Sequence, residues 1–110
     1  MSCRRWLFVK LPPFTALAEA AAASPARGRM VGAQNCHWAS AGARTGEISA
    51  PQIAECGAAL VELGHSERRA HFGETDVAIN AKVKAVLAAG LRRWSASARR
   101  RRSARSMPPR

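Results

Sequence analysis

The sequence predicts an α/β fold built on parallel strands. Short apolar runs alternate with helical patterns in the order strand, helix, strand, loop and helix, strand, helix. That order joins neighbouring parallel strands by right-handed crossovers. The apolar run ending at Leu63 then breaks into Gly64-His65-Ser66-Glu67-Arg68-Arg69, followed by His71-Phe72-Gly73-Glu74-Thr75-Asp76. Polar groups gathered just past a strand are where α/β proteins carry their chemistry. At 110 residues the chain has room for one small domain or for part of a larger one.

Taken in order, Phe8 to Leu11 reads as a short strand ended by Pro12-Pro13. Thr15 is placed to N-cap an alanine-rich helix from Ala16 to Ala23, which Ser24-Pro25 terminates. Met30 to Gln34 reads as a second strand, with Gly32 allowing close backbone approach. Asn35 to Glu47 is a polar, glycine-containing loop long enough to have a role. Ser49 and Pro51 start a short helix that Gly57 ends. Ala59 to Leu63 is the third strand, and the histidine-bearing stretch after it reads as a site loop and then a helix. Thr75 or Asp76 caps the next helix, whose apolar stripe is Ile79, Val83, Val86 and Leu87, with Gly90 as its C-cap glycine.

The composition narrows the classes. Apolar residues make up 47%, but much of that is alanine, and large apolar side chains are few, so the core is modest. The net charge of +11 invites a nucleic-acid reading, so its location matters. From Arg92 to Arg110 there are eight arginines and no acid, whereas residues 1–91 balance ten bases against seven acids. The basicity belongs to a tail, and a run such as Arg99-Arg100-Arg101-Arg102 reads as a solvated, disordered segment rather than a specific nucleic-acid surface. Cys3, Cys36 and Cys56 form no Cys-x-x-Cys pair, which fits free thiols in a reducing compartment. No segment approaches the ~20 apolar residues that span a bilayer. Arg4-Arg5 before Trp6-Leu7-Phe8-Val9 is a weak targeting hint, cut short by Lys10 and Pro12-Pro13. Cys36-His37 lacks further ligands at zinc spacing, so no metal is expected.

Several motifs together resemble the triosephosphate isomerase family. Pro12-Pro13-Phe14-Thr15-Ala16-Leu17 is similar to the segment after its second barrel strand. Gly32-Ala33-Gln34-Asn35, His37-Trp38 and Gly42-Ala43-Arg44-Thr45-Gly46-Glu47-Ile48-Ser49-Ala50 are similar to its third strand and long third loop. Gly64 to Arg69 is similar to its fourth strand end, and Phe72 to Asp76 to the start of its fourth helix. The resemblance implies a fragment of a (β/α)₈ barrel, with three parallel strands and their helices, since the whole barrel needs about 250 residues. It implies three parts: an unmatched segment 1–10, a partial barrel domain 11–92, and a basic tail 93–110 that is disordered or out of frame.

The resemblance also implies a reaction, the interconversion of dihydroxyacetone phosphate and glyceraldehyde 3-phosphate through an enediolate. It carries no cofactor, and the family is cytosolic, homodimeric and part of glycolysis and gluconeogenesis. His65 takes the role of the neutral electrophile that polarises the substrate carbonyl while a glutamate moves the proton. A helix start just after it disfavours the imidazolium. Taken alone, a histidine after a strand is more often structural; the surrounding motif reverses that. Glu67 and Ser66 take supporting roles, against plain readings as a surface ion pair with Arg68 or Arg69 and as a helix-start hydroxyl. Thr45 would reach into a partner subunit and Glu47 would pair with Arg68 across that interface, unless the loop is simply polar and flexible. Arg44 stands where the family has Phe or Tyr, and Ala39-Ser40-Ala41 replace a more acidic stretch. Glu62 faces either the barrel interior or a partner.

The family's Asn-x-Lys motif and its sixth-strand catalytic glutamate have no counterpart here. One GC-rich spelling of the family's continuation, Pro-Leu-Val-Cys-Val-Gly-Glu-Thr, read one base later gives Arg-Trp-Ser-Ala-Ser-Ala-Arg, the sequence of residues 93–99. A frameshift near Arg92 is therefore expected. Without lysine and glutamate the 110 residues are expected to be inactive and poorly folded. The alternatives are a non-catalytic remnant and a basic nucleic-acid-binding polypeptide.

Overall fold

The apolar run before His65 forms the centre of the sheet. In the computed structural model, which describes residues 9–24 and 31–95, strand β2 (Leu60–Leu63) is buried at all four positions. It pairs in parallel with β1 (Gly32–Ala33) on one side and with β3 (Arg92–Ser95) on the other, in the order β1-β2-β3. The register sets Gly32 against Leu60, and Glu62 against Trp94. Next to β1, Lys10 makes an isolated parallel bridge to Val31, so the expected first strand is reduced to one pairing among the described residues. Phe8 and Met30, predicted in strands, lie outside the described residues.

Gly32 is needed because the backbones come close. A Cβ there would sit 2.7 Å from both the Cδ1 and the carbonyl oxygen of Leu60. The side chains of β2 then divide by face. Val61 and Leu63 join the core with Val31, Ala33 and Cys36, beneath Leu17 and Ala21 of α1 (Leu17–Ala23), Ala50 and Ile53 of α2 (Ala50–Glu55), and Val86 of α4 (Asp76–Ala88). Burying a Leu, Ile or Val side chain contributes about 1.5–3 kcal/mol, so this small cluster holds the helices to one face of the sheet. No helix among the described residues is long and apolar enough to cross a membrane.

Local chemistry fixes the helix starts. The Ser49 hydroxyl accepts the Gln52 N–H at 3.3 Å and Gln52 Oε1 accepts the Ser49 N–H at 2.9 Å, with Pro51 in the first turn. This reciprocal cap satisfies two otherwise orphaned donors. Thr75 Oγ1 accepts the Ala78 N–H at 3.2 Å and starts α4. Thr15 does not cap α1: Phe14–Ala16 form a single 3₁₀ turn that leads directly into the helix, and no side chain caps it. Leu87, expected on the buried stripe of α4, is 58% exposed, and Lys82 occupies the buried face instead.

The helix start expected just after His65 is that of α3 (Ser66–Phe72), which has no buried residue and ends at Gly73 in the left-handed conformation (φ 64°). One further difference from the sequence reading follows from backbone pairing. Residues 93–110 are expected as a disordered or out-of-frame tail; of these, Arg93, Trp94 and Ser95 are ordered in β3. A strand edge needs partners for its N–H and C=O groups, and the chain leaving α4 supplies them whatever its side chains are. Residues 96–110 lie outside the described residues.

Candidate active site

His65 sits where the sheet hands over to a helix. Gly64 takes φ 77°, which an L-residue rarely adopts, and this turns the chain from β2 into α3. His65 is then the N-cap of α3, and its ring does the capping: Nδ1 accepts the Glu67 N–H at 3.1 Å. An Nδ1 that accepts an N–H carries no proton. That contact assigns the tautomer with its proton on Nε2, which is left as a hydrogen-bond donor.

Beside His65 lies a cavity of about 520 Å³ lined by Leu11, Phe14, Gln34, Asn35, Glu62, His65, Glu67, Arg68 and Phe72. It opens at the C-terminal ends of β1 and β2, because Gln34 and Asn35 directly follow β1 and His65 follows β2. Gln34 Nε2 donates to the Leu11 carbonyl at 2.8 Å, tying two wall segments together. Glu62, buried in β2, faces this cavity, which settles its side within the chain. Among the described residues, no three His, Cys, Asp or Glu side chains gather to hold a metal ion.

Behind the cavity runs a buried ionic network that the sequence reading missed. Glu74, whose side chain is 3% exposed, receives hydrogen bonds on the same carboxylate oxygen from Arg68 Nε, at 3.2 Å, and from Lys82 Nζ. Lys82 Nζ also donates to Asn35 Oδ1 at 2.9 Å. Burial works against the Glu74 carboxylate, but the Lys82 and then the Arg68 contacts outweigh it and hold its pKa below the ordinary value. Cys36 is close enough to feel the same charges; burial pushes its thiol up to about 11, and Lys82 offsets only part of that. One signal was available in the sequence. Lys82 stands three residues after Ile79 and four before Val86, on the apolar stripe itself.

The comparisons agree with this geometry. A family model described as triosephosphate isomerase matches residues 5–94. The chain belongs to the triosephosphate isomerase family. The L-erythrulose-1-phosphate isomerase of Mesorhizobium japonicum is 56% identical over 81 residues, covering 74% of this chain and 32% of that protein. The enzyme of the same name from Brucella abortus biovar 1 is 51% identical over the same length. Among solved structures, triosephosphate isomerase from Bartonella henselae superposes with a TM-score of 0.72 at 40% identity, covering 77% of this chain and 36% of that one. The chain thus spans about a third of the length of the curated relatives it matches.

Within this triosephosphate isomerase fragment the expected site residues separate into two groups. His65, Glu67 and Arg68 share the cavity, and Ser66, half-buried, lies between them in the first turn of α3. Glu67 is 77% exposed, with Oε1 3.6 Å from His65 Nδ1. Thr45 and Glu47 are exposed on the loop after β1, away from this cavity. Glu47 instead lines a second cavity of about 480 Å³ with His37, Arg44, Ser49 and Gln52. Arg68 has its partner inside the chain, Glu74, and Arg69 pairs with Asp76 at 2.8 Å.

Proposed function

We propose that this chain carries the electrophilic part of an aldose–ketose isomerase for a short phosphorylated sugar. The observation that carries the reading is the His65 ring. Its Nδ1 is occupied by a backbone N–H, which leaves Nε2–H to donate into the cavity. A neutral donor beside a substrate carbonyl stabilises the oxyanion of an enediolate without transferring a full charge. Glu67 and Ser66 support the turn that aims the ring. The substrate by family reaction is dihydroxyacetone phosphate, converted to glyceraldehyde 3-phosphate in glycolysis and gluconeogenesis. A four-carbon substrate is the second reading, favoured because relatives at 56% and 51% identity are named for L-erythrulose 1-phosphate. By the same reading the working form is a cytoplasmic homodimer, in which Thr45, Glu47 and Arg68 meet the partner.

The 110 residues contain neither the family's lysine nor its base, so we expect no turnover from them alone. We further propose that the reading frame departs near Arg92. The Trp94 indole N–H supports this: it is buried in β3 with no acceptor among the described residues, an ill fit that costs about 1–3 kcal/mol. The experiment is to resequence the gene from the Leu91 codon onward, express the in-frame product, and assay both sugar phosphates. The reading expects turnover that falls by about 10² or more in His65→Gln. Turnover unchanged by that substitution would remove His65 from the chemistry.

A further inference from the structure

Lys82 is buried on a helix face that otherwise carries apolar residues, and the isomerase reading gives it no task. Its ammonium reaches two segments at once, Glu74 ahead of α4 and Asn35 after β1, 47 residues away in sequence. An ammonium can only donate, so its contact at 2.9 Å must use the carbonyl oxygen of the Asn35 amide. That assignment fixes the carboxamide: with Oδ1 held against Lys82, Nδ2 and its two N–H groups are directed elsewhere. Asn35 itself lines the cavity beside Glu62 and His65. Its neighbour Gln34 is pinned from the other side by the Leu11 carbonyl at 2.8 Å, so the Gln34-Asn35 pair is held at both ends.

We propose that Lys82 is a positioning residue: by clamping the Asn35 carboxamide through its oxygen, it presents the amide N–H pair to the cavity that His65 lines, as a fixed donor for an oxygen of the bound ligand. That the ligand is a sugar phosphate rests on the reading above; the clamp does not. Glu74 and Arg68 complete the arrangement. Glu74 compensates the buried ammonium, and Arg68 links the same carboxylate to α3, the helix that His65 caps. Lys82 therefore ties the two walls of the cavity, the end of β1 and the start of α3, to one buried point.

The test uses the full isotope-labelled chain and reads the Asn35 side-chain amide protons by NMR. Lys82→Met alone leaves Glu74 undercompensated and can fail to fold, so it is made together with Glu74→Gln, which removes both buried charges. The double variant should unfold at a denaturant midpoint close to the parent's. The Asn35 side-chain N–H vectors should be rigid in the parent and lose order in the double variant, from an order parameter of about 0.8 to below about 0.6, because the fold survives and the clamp does not. Lys82→Arg, which keeps a donor, should retain part of that order. An Asn35 carboxamide as ordered in the double variant as in the parent would overturn the proposal, and so would a parent chain in which it is disordered. No turnover is read, so the clamp stands or falls apart from the isomerase reading, which the His65→Gln assay of the in-frame product tests.

Discussion

Two histidines in this chain make the same local hydrogen bond in very different surroundings. His65 Nδ1 accepts the N–H of Glu67 at 3.1 Å, and His37 Nδ1 accepts the N–H of Ala39 at 2.9 Å. Both rings are thereby set as neutral tautomers with the proton on Nε2. The difference lies behind them. His65 follows the central strand, and its helix is tied by Arg68 to a buried carboxylate. His37 stands in the loop after β1, stacked at 4.2 Å on a Trp38 that is 49% exposed, and one isolated bridge to Ser49 holds it. The comparison teaches that a histidine's own hydrogen bond does not mark a site. Both rings line a cavity, so the rigidity of what carries the ring is what separates them.

The sharpest way to break this comparison is to strike the support behind each histidine. Lys82→Met leaves Glu74 buried with only Arg68, and we expect a loss of about 3–5 kcal/mol in urea unfolding. Arg44→Ala, on the exposed loop after His37, should stay within about 0.5 kcal/mol by the same measurement. Equal costs would mean that the two regions are equally well anchored. Next in size is Gly32→Ala. The new Cβ would meet the Leu60 backbone at 2.7 Å, so β1 must shift, at a cost of about 1–3 kcal/mol in the unfolding midpoint.

The third test uses pH. Burial raises the folded-state pKa of Cys36 from 9.0 to about 11. The unfolded thiol therefore ionises first as pH rises, so the stabilisation is full below the unfolded value and is lost as pH climbs from there toward the folded one. We expect about 2 kcal/mol to disappear over that interval in urea titrations, and Cys36→Ala to flatten the slope. The smallest effects belong to the rings themselves. His65→Ala removes a helix N-cap and should cost about 1 kcal/mol. His37→Ala caps no helix and should cost less, which thermal unfolding of the two variants side by side would show.

Much of the fold was legible because it was written in local signals. Ser49 and Pro51 announced α2, Thr75 or Asp76 announced α4, and the apolar run to Leu63 announced β2. The illegible parts are those made by contact between distant segments. β3 has two arginines and no apolar alternation, and exists because β2 offers it an edge. α3 buries no residue, so no apolar stripe gave its length; only its start just after His65 was legible. The same holds at the site. His65 could be read from its motif, but Asn35, Glu74 and Lys82 come together only once β1, α3 and α4 are packed.

The sheet order carries one more consequence. Each strand lies beside the next in sequence, so the assembly grows by accretion, like a spiral stair in which every tread rests on the one before. Such an architecture can order itself progressively from any step, since no strand waits for a distant one to arrive. It should also tolerate being cut between steps. A nick in the exposed turn at Gly57, between α2 and β2, would sever a connection while leaving every pairing intact, which makes this turn a natural seam for a two-piece version of the protein.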